Sequence, residues 1–406
     1  MIACYAWSNL QLVNLTNTKL NLYKNEPADL FIRIPNFNQI SLQLVNTIKE
    51  SGVFANIYYV EIPHVVKKER FFRYIPRVID ITQRKQYIDF YRTSYNSMVG
   101  RKEYNRILVP MFLGSADVLF FIHHWYNENR KKLKISFVDE GCGSYLLTPK
   151  ELFYVDHKLL TIKERLRFRF NYRSLSQKYK RAVDTFCTYS PAHATKLKGA
   201  IPMQIPQIDN ETNPIMFELI KNATSKIDST HVNAYYKKSV YFFSTYPRNR
   251  QPYFDKRTEE IINTIISAVG VNEFVIKVHI NSKRHAENYA KSYSSKIYVD
   301  RENYFFEGLL PYIDNVEDKI FISYMSTTAM NPKMMLNKEP YIIITNKLYK
   351  DVKDADLHRE SMHENIVLSL YGNKSKVMIP HSLIEFKEML NDILTALYSK
   401  KFNSNC

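Results

Sequence analysis

Glycine is scarce in this chain, with nine in 406 residues. No G-x-x-x-x-G-K-[S/T] loop, G-x-G-x-x-G turn or G-x-S-x-G elbow occurs, which excludes the P-loop, the dinucleotide fingerprint and the hydrolase nucleophile elbow. The four cysteines (Cys4, Cys142, Cys187 and Cys406) are widely scattered and form no C-x-x-C pair. That spacing argues against a zinc site or a disulfide framework and fits a reducing compartment. Long apolar runs are missing as well. The longest greasy segment, Ile107 to Ile122, is interrupted by Gly114, Ser115 and Asp117, and a membrane span needs about 20 residues. Met1 to Trp7 carries neither a basic leader nor a long apolar stretch, so no secretion signal is read there. The expectation is a cytoplasmic protein, soluble or peripheral on the inner face of the plasma membrane. Acid is short too: 40 Asp and Glu face 57 Lys and Arg, a formal charge of +17 that suits a polyanionic partner or reflects compositional drift.

What is present supports packed cores. Hydrophobic residues make up 45% and aromatics 14% of the chain, which excludes global disorder. Strand-like and helix-like patterns alternate, as in layered α/β proteins. In the first half Ile2–Ala6, Asp29–Ile34, Ala55–Ile62, Arg106–Phe112 and Lys134–Val138 read as strands, and Phe186–Tyr189 as the last one. Residues 201–233 are dotted with Pro202, Pro206 and Pro214 and read as a connection with one helix near Pro214–Lys226. Strands then resume at Ser239–Ser244, Glu273–Val278, Lys296–Val299, Asp318–Ile322 and Pro340–Ile344, with a helix near Thr327–Leu336 and a final helix over Ser382–Lys400. The expected architecture is α/β, two Rossmann-like domains (1–200 and 234–406) facing a central cleft.

Three stretches could carry chemistry. Gly141 and Gly143 flank Cys142 directly after the apolar run Ile135, Phe137, Val138 and the adjacent carboxylates Asp139 and Glu140. Glycine suits a tight turn or close approach to a ligand, and α/β enzymes place ligands at the carboxyl ends of strands. A carboxyl whose pKa is raised by burial can take a proton from an attacking hydroxyl; a solvated helix cap is the plainer alternative. The second stretch, Val275 to Asn281, runs out to His279 with Lys283 and Arg284 beyond, a pattern suited to a phosphate leaving group or to a simple surface histidine. In the third, Phe321 to Ala329, a strand ends in Ser326, Thr327 and Thr328. Hydroxyls and free N–H groups at a helix start bind anions, and the same residues serve as ordinary caps. Asp354-Ala355-Asp356 matches an Asp-x-Asp metal pattern but reads as a charged loop, and His123-His124 lack further metal ligands. No resident metal or cofactor is expected.

In order and spacing these stretches resemble the bacterial GT-B sialyltransferases, particularly the capsular polysialyltransferase-like group and more distantly the lipooligosaccharide enzymes. Asp139-Glu140-Gly141 stands for that family's acidic motif, His279-Ile280 for its His-Pro motif and Ser326-Thr327 for its Ser-Ser/Thr motif. Ile280 stands where the motif has proline. The resemblance implies inverting, metal-independent transfer from CMP-sialic acid to a glycan hydroxyl. Glu140 would be the base, with Asp139 positioning or substituting for it. His279 would bind the CMP phosphate, and Ser326, Thr327 and Thr328 the donor. Ser8, Asn9 and Gln11, in a segment similar to the family's first strand-to-helix loop, would border the cleft with Gly141 and Gly143. Partners so implied are a nucleotide-sugar donor and an acidic or galactose-containing surface glycan; nucleic acid is not among them.

From Lys163 to Arg181 the basic residues include Arg165, Arg167, Arg169 and Arg173, interleaved with Phe168, Phe170, Tyr172 and Tyr179, against the single acid Glu164. This stretch suits an acidic glycan or an anionic membrane face. Two other readings remain open: the same fold with another CMP-linked nonulosonate or a UDP-sugar as donor, and a non-catalytic polyanion binder.

Overall fold

The computed structural model describes residues 1–33, 40–61, 89–100, 102–111, 116–128, 133–146, 179, 182–224, 237–244, 252–278, 288, 291–293, 297–300, 306–349 and 354–404. The chain divides into two compact units, Met1–Pro206 and Gln207–Cys406.

The first unit is built on a seven-stranded parallel sheet. Its strands are β1 (Ile2–Ala6), β2 (Ala28–Arg33), β3 (Asn56–Val60), β4 (Arg106–Pro110), β5 (Lys134–Val138), β6 (Val183–Thr188) and β7 (Ile201–Gln204), in the order β3-β2-β1-β4-β5-β6-β7. Parallel strands covered on both faces read as continuous apolar runs rather than alternating ones. Every residue of β1 is buried, and the first five of β2 are too. Phe31 of β2 anchors an aromatic core, with the rings of Tyr58, Phe121 and Tyr95 at 5.1, 5.2 and 5.7 Å. The greasy run Ile107–Ile122 is accounted for by β4 and the helix Ala116–Glu128. Among the described residues no helix is long and apolar enough to cross a membrane.

The strand β7 corrects the sequence reading, in which Phe186–Tyr189 ends this half and 201–233 is a connection. Ile201–Gln204 pairs in parallel with β6, Pro202 opposite Phe186. It is an edge strand with Ile201 64% exposed, so it lacks the apolar signature of a central strand. Proline is tolerated there because the outer side of an edge strand needs no ladder donor.

The second unit repeats the plan with six parallel strands: β8 (Val240–Phe243), β9 (Phe274–Lys277), β10 (Tyr298–Asp300), β11 (Ile320–Ser323), β12 (Tyr341–Ile344) and β13 (Val377–Met378). Their order is β10-β9-β8-β11-β12-β13. The helices Pro252–Val269 and Leu383–Ser404 pack on this sheet through Ile261, Ile262 and Ile265 and through Phe386, Leu390, Ile393, Leu394 and Leu397. The second set recurs at the three-to-four residue spacing of one helix face, and each such side chain contributes about 1.5–3 kcal/mol by leaving water.

Asp354-Ala355-Asp356 opens a helix, Asp354–Leu370, where the sequence reads as a loop. The buried positions of that helix are Glu360, His363, Ile366 and Val367. Two of these four positions are polar, so an apolar stripe is broken. Tyr324 donates its hydroxyl to the Glu360 carboxylate, while burial pushes the His363 imidazole down to about 4 and keeps it neutral.

Both sheets follow the doubly wound order in which the chain reverses direction across the sheet, between β1 and β4 and between β8 and β11. Ligands in such sheets lie beyond the carboxyl ends of the strands near that reversal. Asp139-Glu140-Gly141 follows β5, Trp7 to Gln11 follows β1, and Ser326 to Thr328 follows β11.

Candidate active site

In the first unit the site begins with a helix cap. Ser8 is extended and precedes the helix Asn9–Leu22, and its hydroxyl accepts from the Gln11 N–H at 3.4 Å. Gln11 Oε1 accepts in turn from the Trp7 N–H at 2.9 Å. This is a close variant of the reciprocal Ser-x-x-Gln capping box, which satisfies two orphan donors of a helix start. Asn9 Oδ1 accepts the Ser41 N–H at 2.8 Å and ties the second helix of the unit, Leu42–Glu50, to the first.

The helix Asn9–Leu22 buries polar side chains over its first three turns, among them Gln11, Asn14 and Asn17. Their partners explain why. Gln11 Nε2 donates to Glu140 Oε1 at 3.0 Å, and Asn14 Nδ2 to the Asp139 carbonyl at 2.9 Å. Tyr189, following β6, donates its hydroxyl to Asn14 Oδ1 at 3.0 Å. One polar helix face thus carries the turn after β5.

That turn needs its first glycine. Gly141 has φ +81°, the left-handed region that side chains bearing a Cβ disfavour. The short helix Cys142–Leu146 follows, with Gly143 half-buried within it. Ser144 Oγ accepts the Glu140 N–H at 2.9 Å, and the Ser144 carbonyl accepts the Thr195 N–H at 3.0 Å.

The two adjacent carboxylates have opposite surroundings. Asp139 is buried and saturated. Its Oδ1 accepts the Gly141 N–H at 2.7 Å, and its Oδ2 accepts the Tyr145 hydroxyl and, at 3.3 Å, the Tyr189 N–H. Burial pushes its pKa up to about 6 despite these donors. Glu140 is pushed further, to about 8, chiefly by burial and also by the neighbouring Asp139, with the Gln11 hydrogen bond pulling the other way. Its Oε2 is buried and has no hydrogen-bond partner among the described residues. A buried acceptor without a partner is costly and uncommon, and a carboxyl poised near neutrality is what proton transfer requires.

In the second unit Ser326 caps the helix Thr327–Leu336, its hydroxyl accepting from the Thr328 N–H at 3.2 Å. Glu307, on the short helix Phe306–Leu309, accepts from Asn331 Nδ2 at 2.6 Å and hydrogen-bonds the Thr328 side chain. Burial raises the Glu307 pKa, and the Lys277 charge opposes that rise. Lys277 is held by the fully buried Asp300 at 3.0 Å. Thr328 is therefore engaged by both its N–H and its hydroxyl, while Ser326 and Thr327 are half-exposed at the helix start. Ser326→Ala is expected to cost about 1 kcal/mol, measurable as a lower urea midpoint.

The sequence matches no family model, and no curated protein matches it. Among solved structures, the GT-B domain of a Photobacterium damselae sialyltransferase is similar at TM-score 0.44 and 12% identity, covering 93% of this chain and 99% of that one. A Polygonum tinctorium UDP-glucosyltransferase is similar at TM-score 0.49 and 12% identity over 98% of this chain and 91% of that one. S. aureus MnaA with UDP gives 0.47 and 10%, over 98% and 96%.

The structure therefore brings Gln11, Asp139, Glu140 and Gly141 together, with Ser8 and Asn9 forming the adjoining cap. His279 and Ile280 lie outside the described residues, as do Arg165, Arg167, Arg169 and Arg173. His123 Nδ1 contacts the Tyr179 hydroxyl at 2.5 Å, and burial pushes the His124 imidazole down to about 4. Tyr145, Tyr189, Asn14 and Glu307 were not singled out by sequence reasoning. No local sequence signal marks these four, whereas the Ser8-to-Gln11 spacing is that of a helix cap.

Proposed function

We propose that this chain is an inverting glycosyltransferase that moves sialic acid from CMP-sialic acid to a hydroxyl of a bacterial surface glycan, in a capsule, lipooligosaccharide or O-antigen. The observation that carries this reading is Glu140: a buried carboxyl, raised toward neutrality, with one oxygen that has no partner among the described residues. Such a group is suited to taking one proton from an attacking hydroxyl.

In this reading Glu140 removes the acceptor proton as the acceptor oxygen attacks the anomeric carbon. The bond from that carbon to the phosphate oxygen breaks, and its electron pair leaves with CMP. A single phosphate can be offset by the start of the Thr327–Leu336 helix with Ser326 and Thr327, and by His279 as an imidazolium, so no metal is required in the scheme. The basic stretch with Arg165, Arg167, Arg169 and Arg173 would attract an acidic acceptor or the inner membrane face. The first unit would serve acceptor and base, the second the donor.

Incubation with CMP-sialic acid and labelled sialylated and galactosylated acceptors is expected to release CMP. In a parallel thermal-shift series CMP is expected to stabilise the protein more than UDP or GDP. Stabilisation by UDP alone would replace the donor with a UDP-sugar. Salt-steep nucleic-acid binding without any nucleotide response would support a non-catalytic polyanion binder instead.

A further inference from the structure

We infer that Gln11 is the positioning residue of the Glu140 carboxylate, holding Oε1 so that Oε2 is the oxygen presented for proton transfer. The inference rests on the reading of Glu140 as the base.

The argument starts from the helix cap. An amide side chain can usually turn over and exchange its oxygen and nitrogen, but Gln11 is locked. Its Oε1 is committed to the Trp7 N–H at 2.9 Å, and its backbone N–H is held by Ser8 Oγ at 3.4 Å. With Oε1 committed to a donor, Nε2 is left to face Glu140, where it donates to Oε1 at 3.0 Å. The Glu140 backbone is fixed independently by Ser144 Oγ at 2.9 Å. Main chain and one carboxylate oxygen are thus both anchored, and the remaining Oε2 is buried and, among the described residues, unpartnered. Asp139 does not share this task, since its two oxygens take the Gly141 and Tyr189 amides and the Tyr145 hydroxyl.

In the transfer step the acceptor O–H bond breaks and an O–H bond forms at Glu140 Oε2. The electron pair released stays on the acceptor oxygen, which forms the new bond to the anomeric carbon. Holding the base in one rotamer is how positioning residues raise the rate of such a step.

A capping-box position accepts glutamate as readily as glutamine, and this makes the test sharp. Gln11→Glu keeps an oxygen for the Trp7 N–H but replaces the donor facing Glu140 with a second carboxylate oxygen. Gln11→Met removes both contacts while keeping the length of the side chain. The readout is the titration of Glu140 followed by carbon-13 NMR of glutamate-labelled full-length protein, assigned by the signal missing in Glu140→Gln. The Glu140 midpoint is expected to rise by about one pH unit or more in Gln11→Glu, because a like charge disfavours ionisation. A smaller rise is expected in Gln11→Met. The acid limb of the turnover-versus-pH profile should move by the same amount, with KM for the donor changed less than two-fold. An unmoved Glu140 midpoint in a folded Gln11→Glu protein, or in Gln11→Met if the first variant does not fold, overturns the inference. A wild-type protein that transfers nothing from any CMP- or UDP-sugar overturns the transferase reading separately, because the NMR midpoint needs no donor.

Discussion

Replacing Glu140 with glutamine is expected to lower turnover by about 10²- to 10⁴-fold, the usual loss on removing a general base, while making the protein more stable. The second half of that expectation follows from the sign of the pKa shift. Burial raises the carboxyl from 4.5 to about 8, so the native state holds the proton more tightly than the unfolded chain does. The favourable contribution is therefore complete below the unfolded value near 4.5 and is lost as pH rises through about 8. At pH 9 the wild-type protein carries an ionised, partly unsatisfied carboxylate, and the glutamine variant does not. The gain from Glu140→Gln is expected to be on the order of 1–3 kcal/mol at pH 9 and close to zero at pH 4. Urea titrations of both proteins at the two pH values measure it, and a difference that does not change with pH contradicts the assignment. Wild-type turnover should rise with pH through about 8, as the base ionises.

Asp139→Ala is expected to do the opposite and to lose about 3–5 kcal/mol, the cost of removing one partner from a buried charged network. The reason is the number of donors left behind: the Gly141 and Tyr189 amides and the Tyr145 hydroxyl all converge on this side chain, and each unsatisfied buried donor costs about 1–3 kcal/mol. Tyr145→Phe removes one donor, leaves the amides in place and should cost about a third as much. Denaturant midpoints rank the three proteins. An Asp139→Ala protein as stable as wild type but inactive would move the base from Glu140 to Asp139.

The acidic turn was legible because Gly141 belongs to a chain almost without glycine, and a residue at φ +81° has few alternatives. The buried strands were legible because parallel sheets need continuous apolar runs, and β1, β2, β8, β9 and β11 have them. The strand β7 was hidden, since an edge strand carrying Pro202 and an exposed Ile201 has no such run. The helix Asp354–Leu370 was hidden as well, because it buries Glu360 and His363 where periodicity looks for apolar residues. Glu307 gave no local sign, as its partners Asn331 and Thr328 lie 24 and 21 residues further along the chain.

By itself, the amino-acid order determined the alternation of strands and helices, the approximate positions of most strands and the turn at which two carboxylates meet. Those features depend on neighbours a few residues apart, through periodicity, capping and allowed backbone angles. Tertiary structure alone decided that Asp139 is spent on the fold and Glu140 is left with an open oxygen. That division depends on loss of water and on donors brought from Gln11, Tyr145 and Tyr189, and both act through space rather than along the chain.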